Sequence, residues 1–155
     1  MPDAKRQLMR HFVAALAYRA RKAITDAPAD FANFDGAGKS PTKILSHMGD
    51  LMAWSITLFA EEKWEPAKAT DDWDRNVARF FSLLKELDGL LASDAPVRCY
   101  SEERMLQGPL ADAMTHVGQL AMVRRMAGVP TKPENFAAAP VKIGDVAGAA
   151  SAKSA

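Results

Sequence analysis

One carboxylate and one imidazole lie a single helical turn apart in a part of the chain that carries almost no other charge. From Met105 to Val123 the only formally charged side chain is Asp112, and His116 follows it by four residues. Side chains at this spacing lie on the same face of an α-helix, so both can reach one ligand. A carboxylate taken out of water is costly unless it is paired or coordinates a metal. The pair therefore indicates either a metal site or a hydrogen-bonded couple inside the protein.

A third candidate ligand comes from an earlier helix. At about 100° per residue, the apolar arc of the segment beginning at Pro41 contains His47 between Trp54 and Leu51, so the imidazole is predicted to point inward. If this helix packs antiparallel to the helix of Asp112, three side chains can hold one divalent ion and leave a coordination position open. Such a site polarises a substrate, activates water or binds a thiolate. We predict zinc, nickel, iron or manganese as the ion.

Four further side chains are weaker candidates. His11, on the flank of the apolar stripe of the first helix, is either a fourth ligand or proton carrier, or an ordinary surface histidine. Gln119, one turn beyond His116, either supports that ligand from behind or packs as an ordinary polar residue. Glu61 is, with His11, a candidate general base for hydrolysis. Cys99 has neither a second cysteine nor a histidine near it in the sequence, so we predict no nucleophile there.

Two other patterns are not assigned to the site. Arg124 and Arg125 stand near the end of the last helix, where cations interact favourably with the helix dipole, so a role in binding a substrate anion needs independent support. The run Gly36–Ser40 reads GAGKS, like the end of a phosphate-binding loop. Asn33 occupies the position of the required first glycine, however, and no strand pattern precedes it. We predict a flexible loop before a capped helix.

Helices have to position these side chains, because apolar residues recur at three- and four-residue steps almost throughout the chain. Ser40 and Pro41 predict an N-cap and a first helical residue, and Gly128 with Pro130 predicts the end of the last helix. In the first helix the predicted buried stripe consists of Leu8, Phe12, Ala15, Leu16 and Ala23. The predicted helices extend from residue 3 to about 27, from 41 to about 62, from about 72 to 93 and from 109 to 128.

The predicted fold is therefore all-α, a four-helix bundle with an extended C-terminal tail. Residues 1–140 are predicted to form a single domain. The segment after Pro130 is rich in proline, alanine and glycine, and Phe136 is predicted to wrap it onto the bundle. Residues 141–155 are predicted to be a partly disordered tail.

Composition limits the classes of function. The chain of 155 residues is 48% hydrophobic and 25% charged, as expected of one domain with a real core, and its formal net charge of +1 gives no large field for nucleic acid or an anionic membrane. With a single cysteine no intramolecular disulfide is possible. The N-terminus lacks the apolar run of a signal peptide, and no segment reads as a transmembrane helix. We expect a cytoplasmic protein.

Three segments together resemble the DinB-like superfamily of metal-binding four-helix bundles. They are KILSHMGDLMAW at 43–54, GPLADAMTHVGQLAMVRRMAG at 108–128 and the trailing PENF at 133–136, and the likeness extends over residues 5–140. In that family one histidine of the second helix and a His-x-x-x-His pair of the last helix usually bind a divalent ion. By position the resemblance implies His47, Asp112 and His116 as the ligands. Asp112 replaces the common histidine, and we interpret this as an altered site because carboxylate oxygen is itself a good ligand.

The resemblance also implies a class of activity. It implies a metal-dependent thiol S-transferase or isomerase that uses a low-molecular-weight thiol as a small-molecule substrate, and it implies a homodimer. Two alternatives stay open from the residues alone. One is a metal-dependent hydrolase with the same ligands, and the other is a non-catalytic metal-binding stress or interaction protein in which the ion contributes only stability.

Overall fold

Helices make up all the regular secondary structure in the computed structural model, which describes residues 3–61, 63–65 and 70–148. This confirms the predicted all-α class. A π turn at Leu106–Leu110 joins α4 to α5, so these two helices form one continuous rod and the bundle has four rods. The helices are α1 (Ala4–Ile24), α2 (Pro41–Ala60), α3 (Trp73–Ala92), α4 (Glu102–Met105) and α5 (Ala111–Met126).

Polar caps fix the starts of the three long helices α1, α2 and α3. The side chains of Asp3, Ser40 and Asp72 each accept a hydrogen bond from the backbone amide three residues on, and Pro41 occupies the first turn of α2. Such caps satisfy amides that the helix itself leaves without partners. The predicted starts of these helices are therefore confirmed.

The predicted start of the last helix is wrong. The rod begins at Glu102, capped by the Ser101 side chain, and runs through Gly108 and Pro109 instead of starting there. Proline cannot donate the i→i−4 hydrogen bond of a regular helix. The π turn, whose hydrogen-bonding pattern differs from that of the α-helix, accommodates it.

Contacts between the rods define their directions. The Arg6 guanidinium donates to the Ser93 carbonyl while Arg10 pairs with Asp88, so α1 and α3 are antiparallel. Arg124 of α5 donates to the carbonyl of Ala23 at the end of α1, and at the opposite end Lys5 pairs with Glu103, so these rods are parallel. By the same reasoning α2 runs parallel to α3, through Thr42 with Asn76 and Asp50 with Arg79, and antiparallel to α5. Going around the bundle, the order is α1, α3, α2, α5.

The buried face of α1 differs from the predicted stripe. Leu8 is 69% exposed, and Phe12 and Ala15 are only half-buried. The predicted stripe differs from the buried face at these three residues because the alanines at 14, 17 and 20 form part of the core. Small side chains nevertheless let the neighbouring helices approach closely. The buried face consists of Met9, Val13, Ala14, Leu16, Ala17, Ala20, Ala23 and Ile24.

The segment 129–148, called the C-terminal segment below, packs along α1. The Phe136 ring lies 3.9 Å from the Arg19 guanidinium and meets the Tyr18 ring edge-on, which confirms the predicted wrapping. Packing continues beyond the predicted domain end at residue 140, since Val146 is buried and Arg21 pairs with Asp145. Residues 149–155 of the predicted tail lie outside the described residues. None of the described helices combines the length and the apolar character needed to cross a membrane.

Candidate metal centre

The antiparallel contact of α2 with α5 brings the three predicted ligands together. His47 lies in the second turn of α2, and Asp112 and His116 lie in the first two turns of α5. One ligand atom from each side chain lies within 4.8 Å of the others. Among the described residues, this is the one group of three or more histidine, cysteine or acidic side chains that can hold an ion.

The separations within the cluster suit an ion better than direct hydrogen bonds. His47 Nε2 lies 3.5 Å from Asp112 Oδ2, and His116 Nε2 lies 3.4 Å from Asp112 Oδ1. Hydrogen bonds between nitrogen and oxygen span about 2.7–3.2 Å. Two ligands held at about 2.0–2.1 Å by a tetrahedral ion are instead about 3.3–3.4 Å apart. Each of the two contacts is therefore longer than a hydrogen bond and close to the separation of two ligands of one ion, and each reaches a different oxygen of Asp112.

The prediction that His47 points inward is wrong. Its side chain is 43% exposed and that of Asp112 is 46% exposed, whereas His116 is 13% exposed. The reason lies in the small residues of α2. Ser46 and Gly49 are buried, although neither has the large apolar side chain that defines the predicted arc. The buried face of α2 is therefore turned away from His47 and toward α3. The site therefore lies at the surface edge between α2 and α5 and is open to solvent.

The His116 ring is held in place by two neighbours. It stands edge-on to the His47 ring, with centroids 4.8 Å apart and planes at 89°. Its Nδ1 lies 2.7 Å from Gln119 Oε1, one turn further along α5. Gln119 is predicted either to support His116 or to pack as an ordinary polar residue, and the structure shows it in contact with the ring of His116 on the side away from Asp112. Its Nε2 stays directed toward Asp112.

Asp50 and Arg79 support the turn that carries His47, and sequence reasoning gave neither a role. Arg79 Nη2 donates to Asp50 Oδ1 at 2.7 Å, and Nη1 donates to the Ser46 carbonyl at 3.3 Å. The guanidinium passes over Gly49, where a Cβ atom would come within 2.7 Å of it. A glycine in mid-helix beside an acid was the available signal, because such a glycine often marks a close approach by a neighbour. The arginine also neutralises the carboxylate nearest to His47 on α2.

Three other candidates lie apart from the cluster. His11 is exposed on α1 and lines an apolar groove of about 320 Å³ with Leu8 and Phe12. Glu61 is at the far end of α2, within 3.8 Å of an arginine, and about 21 Å along the helix axis from His47 at 1.5 Å per residue. His11 is therefore not a fourth ligand, and neither side chain is placed as a base for this site. Cys99 is exposed and lies outside the cluster.

The two arginines of α5 differ in environment. Arg124 is 7% exposed and donates to the carbonyls of Ala23, Thr25 and Val129, whereas Arg125 is exposed. Burial lowers the pKa of Arg124 below its usual value, and the nearby Asp26 acts in the opposite direction. Because its donors are used by backbone carbonyls at the end of α1, Arg124 holds helix ends together and does not face the cluster.

Comparisons with protein-family models, with curated proteins and with solved structures give no match. Membership of the DinB-like superfamily thus stays a prediction from the motifs at 43–54, 108–128 and 133–136.

The donor set fits a divalent ion. Two imidazole nitrogens and one carboxylate oxygen are ligands that zinc, iron and manganese accept, and three protein ligands leave further positions free. With neutral imidazoles the cluster carries one negative charge, from Asp112, so a cation compensates it. The exposed side chains of His47 and Asp112 have room to adjust around an ion from the solvent side.

Proposed function

We propose that the chain is a metal-dependent enzyme in which His47, Asp112 and His116 hold a divalent ion with at least one position open to a small-molecule substrate. The observation that carries the proposal is the His/Asp/His cluster, whose ligand atoms converge to within 4.8 Å from two helices. Two of its separations, each to a different oxygen of Asp112, are close to the distance between two ligands of one ion. A bound ion would supply Lewis acidity that favours the thiolate or hydroxide form of a coordinated group.

The exposure of the cluster supports access by a substrate. A metal that only holds a fold together is usually enclosed by four protein ligands. Here three ligands come from the described residues, and two of them are more than two-fifths exposed. His116 forms the less exposed wall, and the open side faces solvent between α2 and α5.

The substrate class rests on the resemblance to the DinB-like superfamily. On that basis we propose a low-molecular-weight thiol as the substrate and S-transfer or isomerisation as the reaction. A hydrolase with the same ligands would need a general base near the open position. His11 and Glu61, the two bases proposed from sequence, lie elsewhere on the bundle, which weighs against hydrolysis.

The metal part is tested by the metal content of protein purified without chelator or nickel resin, measured by plasma mass spectrometry. We expect near-stoichiometric metal in the wild type and loss of it in His47→Ala, Asp112→Asn and His116→Ala. His11→Ala is the matched control, since it removes an exposed histidine outside the cluster, and it should keep the metal. Wild-type protein that contains no metal and takes up none on addition would refute the site.

The thiol part needs a separate assay on metal-loaded protein. Glutathione, mycothiol and bacillithiol are offered with electrophilic substrates, and thiol binding and turnover are both followed. We expect turnover in the wild type and in His11→Ala, and none in Asp112→Asn. Loaded wild-type protein without thiol binding or turnover would leave the metal site standing and remove the thiol proposal. Chelation that lowers the melting temperature while no reaction is found would favour the non-catalytic alternative.

The homodimer implied by the resemblance also stays a proposal. Sedimentation of the wild type over a range of concentrations tests it. A monomer at all concentrations would refute it.

A further inference from the structure

The contact between His116 and Gln119 has a consequence for how the site binds its ion. Gln119 Oε1 lies 2.7 Å from His116 Nδ1, and His116 Nε2 lies on the other side of the ring, 3.4 Å from Asp112 Oδ1. We propose that Gln119 is a positioning residue that fixes the tautomer of His116, so that the ring presents the lone pair of Nε2 to the metal. The inference rests on the proposed function, because the ligand it concerns is the ion of that site.

The chemistry of the two partners decides the tautomer. A glutamine carbonyl oxygen only accepts hydrogen bonds, so the hydrogen between the two groups belongs to Nδ1. A neutral imidazole carries one ring hydrogen, and Nε2 is then left with a free lone pair. This is the atom directed toward Asp112 and the open side of the cluster.

The opposite arrangement is disfavoured by distance. If the Gln119 amide were reversed, its NH₂ group would donate to Nδ1 of His116, and the ring hydrogen would move to Nε2. That hydrogen would then face Asp112 Oδ1 at 3.4 Å. Since N–H···O bonds are about 2.7–3.2 Å long, the reversed arrangement would keep the contact at Nδ1 but leave the ring hydrogen on Nε2 without a good hydrogen bond to the cluster.

The two histidines of the site therefore have different degrees of preorganisation. His116 is 13% exposed and tied through Nδ1, whereas His47 is 43% exposed, and no hydrogen bond to its ring forms within the part of the chain that the structure describes. The orientation of the His116 ring is fixed before the ion binds, whereas the His47 ring becomes oriented when the ion binds. Hydrogen bonds of this kind to ligating histidines change metal affinity by about 10–100-fold when they are removed.

The test compares zinc affinity, with Zn²⁺ alone as the probe, by competition against a chromophoric chelator. Gln119→Leu keeps the size and the helix propensity of the side chain but removes the acceptor, and we expect the Kd for zinc to rise about 10–100-fold. Gln119→Glu keeps an acceptor oxygen. Its Kd for zinc should therefore be no more than about threefold above that of the wild type. Gln107→Leu, the same replacement at an exposed position outside the cluster, is the control and should not change the Kd.

A second readout reports the tautomer directly. Long-range proton–nitrogen NMR spectra of the histidine rings in zinc-free protein should show the hydrogen of His116 on Nδ1 in the wild type and in Gln119→Glu. Gln119→Leu should show a mixture or the other tautomer. Because residue 119 is exposed on α5, all variants are expected to fold, and their melting curves check this.

The outcomes separate the two levels of the proposal. Wild-type protein that binds zinc, together with a Gln119→Leu variant of equal affinity, overturns the role of Gln119 and leaves the metal site intact. Equal weakening in Gln119→Leu and Gln119→Glu also overturns it, since the acceptor would then be irrelevant. Wild-type protein that binds no zinc refutes the proposed function, and the inference falls with it.

Discussion

Replacing Arg124 tests whether this residue stabilises the bundle or serves the site. The structure assigns it to stability. Its guanidinium is 7% exposed and donates to the carbonyls of Val129, Ala23 and Thr25 at 3.0, 3.1 and 2.7 Å. Two of these carbonyls lie at the end of α1, where the helix leaves acceptors without partners.

The magnitude follows from these three bonds. A hydrogen bond from a charged donor contributes about 1.5–3 kcal/mol, and a buried acceptor left without its donor costs about 1–3 kcal/mol. The three bonds share one guanidinium and are not independent, and removing the buried cation returns part of its desolvation cost. We therefore expect Arg124→Met to lower the free energy of unfolding by about 3 kcal/mol, the low end of the cost of breaking a buried charged contact. At roughly 2–4 °C per kcal/mol for a domain of this size, the melting temperature should fall by about 6–12 °C.

Thermal and denaturant unfolding of the wild type, Arg124→Met and Arg125→Met measure the effect. Arg125 is the matched control because it is exposed, and its replacement should change the free energy of unfolding by no more than about 0.5 kcal/mol. Zinc affinity should be the same in all three proteins at a temperature where all are folded. Equal unfolding midpoints for Arg124→Met and Arg125→Met would refute the reasoning. An Arg124→Met variant that is stable but has lost substrate binding would place the arginine in the site instead.

Three further predictions concern the helices around the site. Gly118→Ala should raise the free energy of unfolding by about 0.5–1 kcal/mol without changing zinc affinity. A Cβ atom there meets nothing within 4 Å, and glycine weakens a helix interior. A loss of stability would show a contact that the structure lacks. Glu61→Gly should raise the free energy of unfolding by about 0.5–1 kcal/mol, because Glu61 at the C-cap of α2 has φ 56°, a left-handed conformation that glycine adopts without strain. Glu61→Ala keeps the strain and should not raise it. Hydrogen bonds, the largest effect from Lys5 and others from the backbone amide of Glu103 and from Ser101, lower the pKa of Glu103 from 4.5 to about 2, and an NMR titration of Lys5→Met should show it moved part of the way back toward 4.5. Because that pKa is lowered in the folded state, the pair stabilises above about pH 4.5, and its contribution is lost as the pH falls toward 2.

The parts of the fold that local chemistry determines were predictable from the sequence. Capping residues mark the starts of helices through hydrogen bonds within four residues. Ser40 caps α2 as predicted, and α3 starts near Asp72 as predicted, with Asp72 as its cap. The i,i+4 spacing of Asp112 and His116 places them side by side for the same reason. Both features depend on one helix alone.

Features that depend on a second helix were harder to predict. The exposure of His47 follows from how closely α3 approaches Ser46 and Gly49, and small residues of this kind carry little weight in a hydrophobic arc. The contact of Arg79 with Asp50 links residues 29 positions apart, and nothing local indicates it. The convergence of His47 with the α5 pair depends on antiparallel packing of α2 and α5, and the sequence alone does not give the direction of a helix.

The π turn before α5 explains how one rod can both close the bundle and present the site. Met105 and Leu110 are each fully buried, yet they are five positions apart, which places them roughly 140° apart on a regular α-helix. The wider turn at Leu106–Leu110 takes up the extra residue, so both side chains reach the same core. With Leu110 fixed inward, the buried face of α5 continues through Ala113 and Val117, and Asp112 comes to lie at the edge facing α2. Were the rod a regular helix from Ser101 onward, burying Met105 would rotate Asp112 by about 100°, and the carboxylate would no longer meet His47.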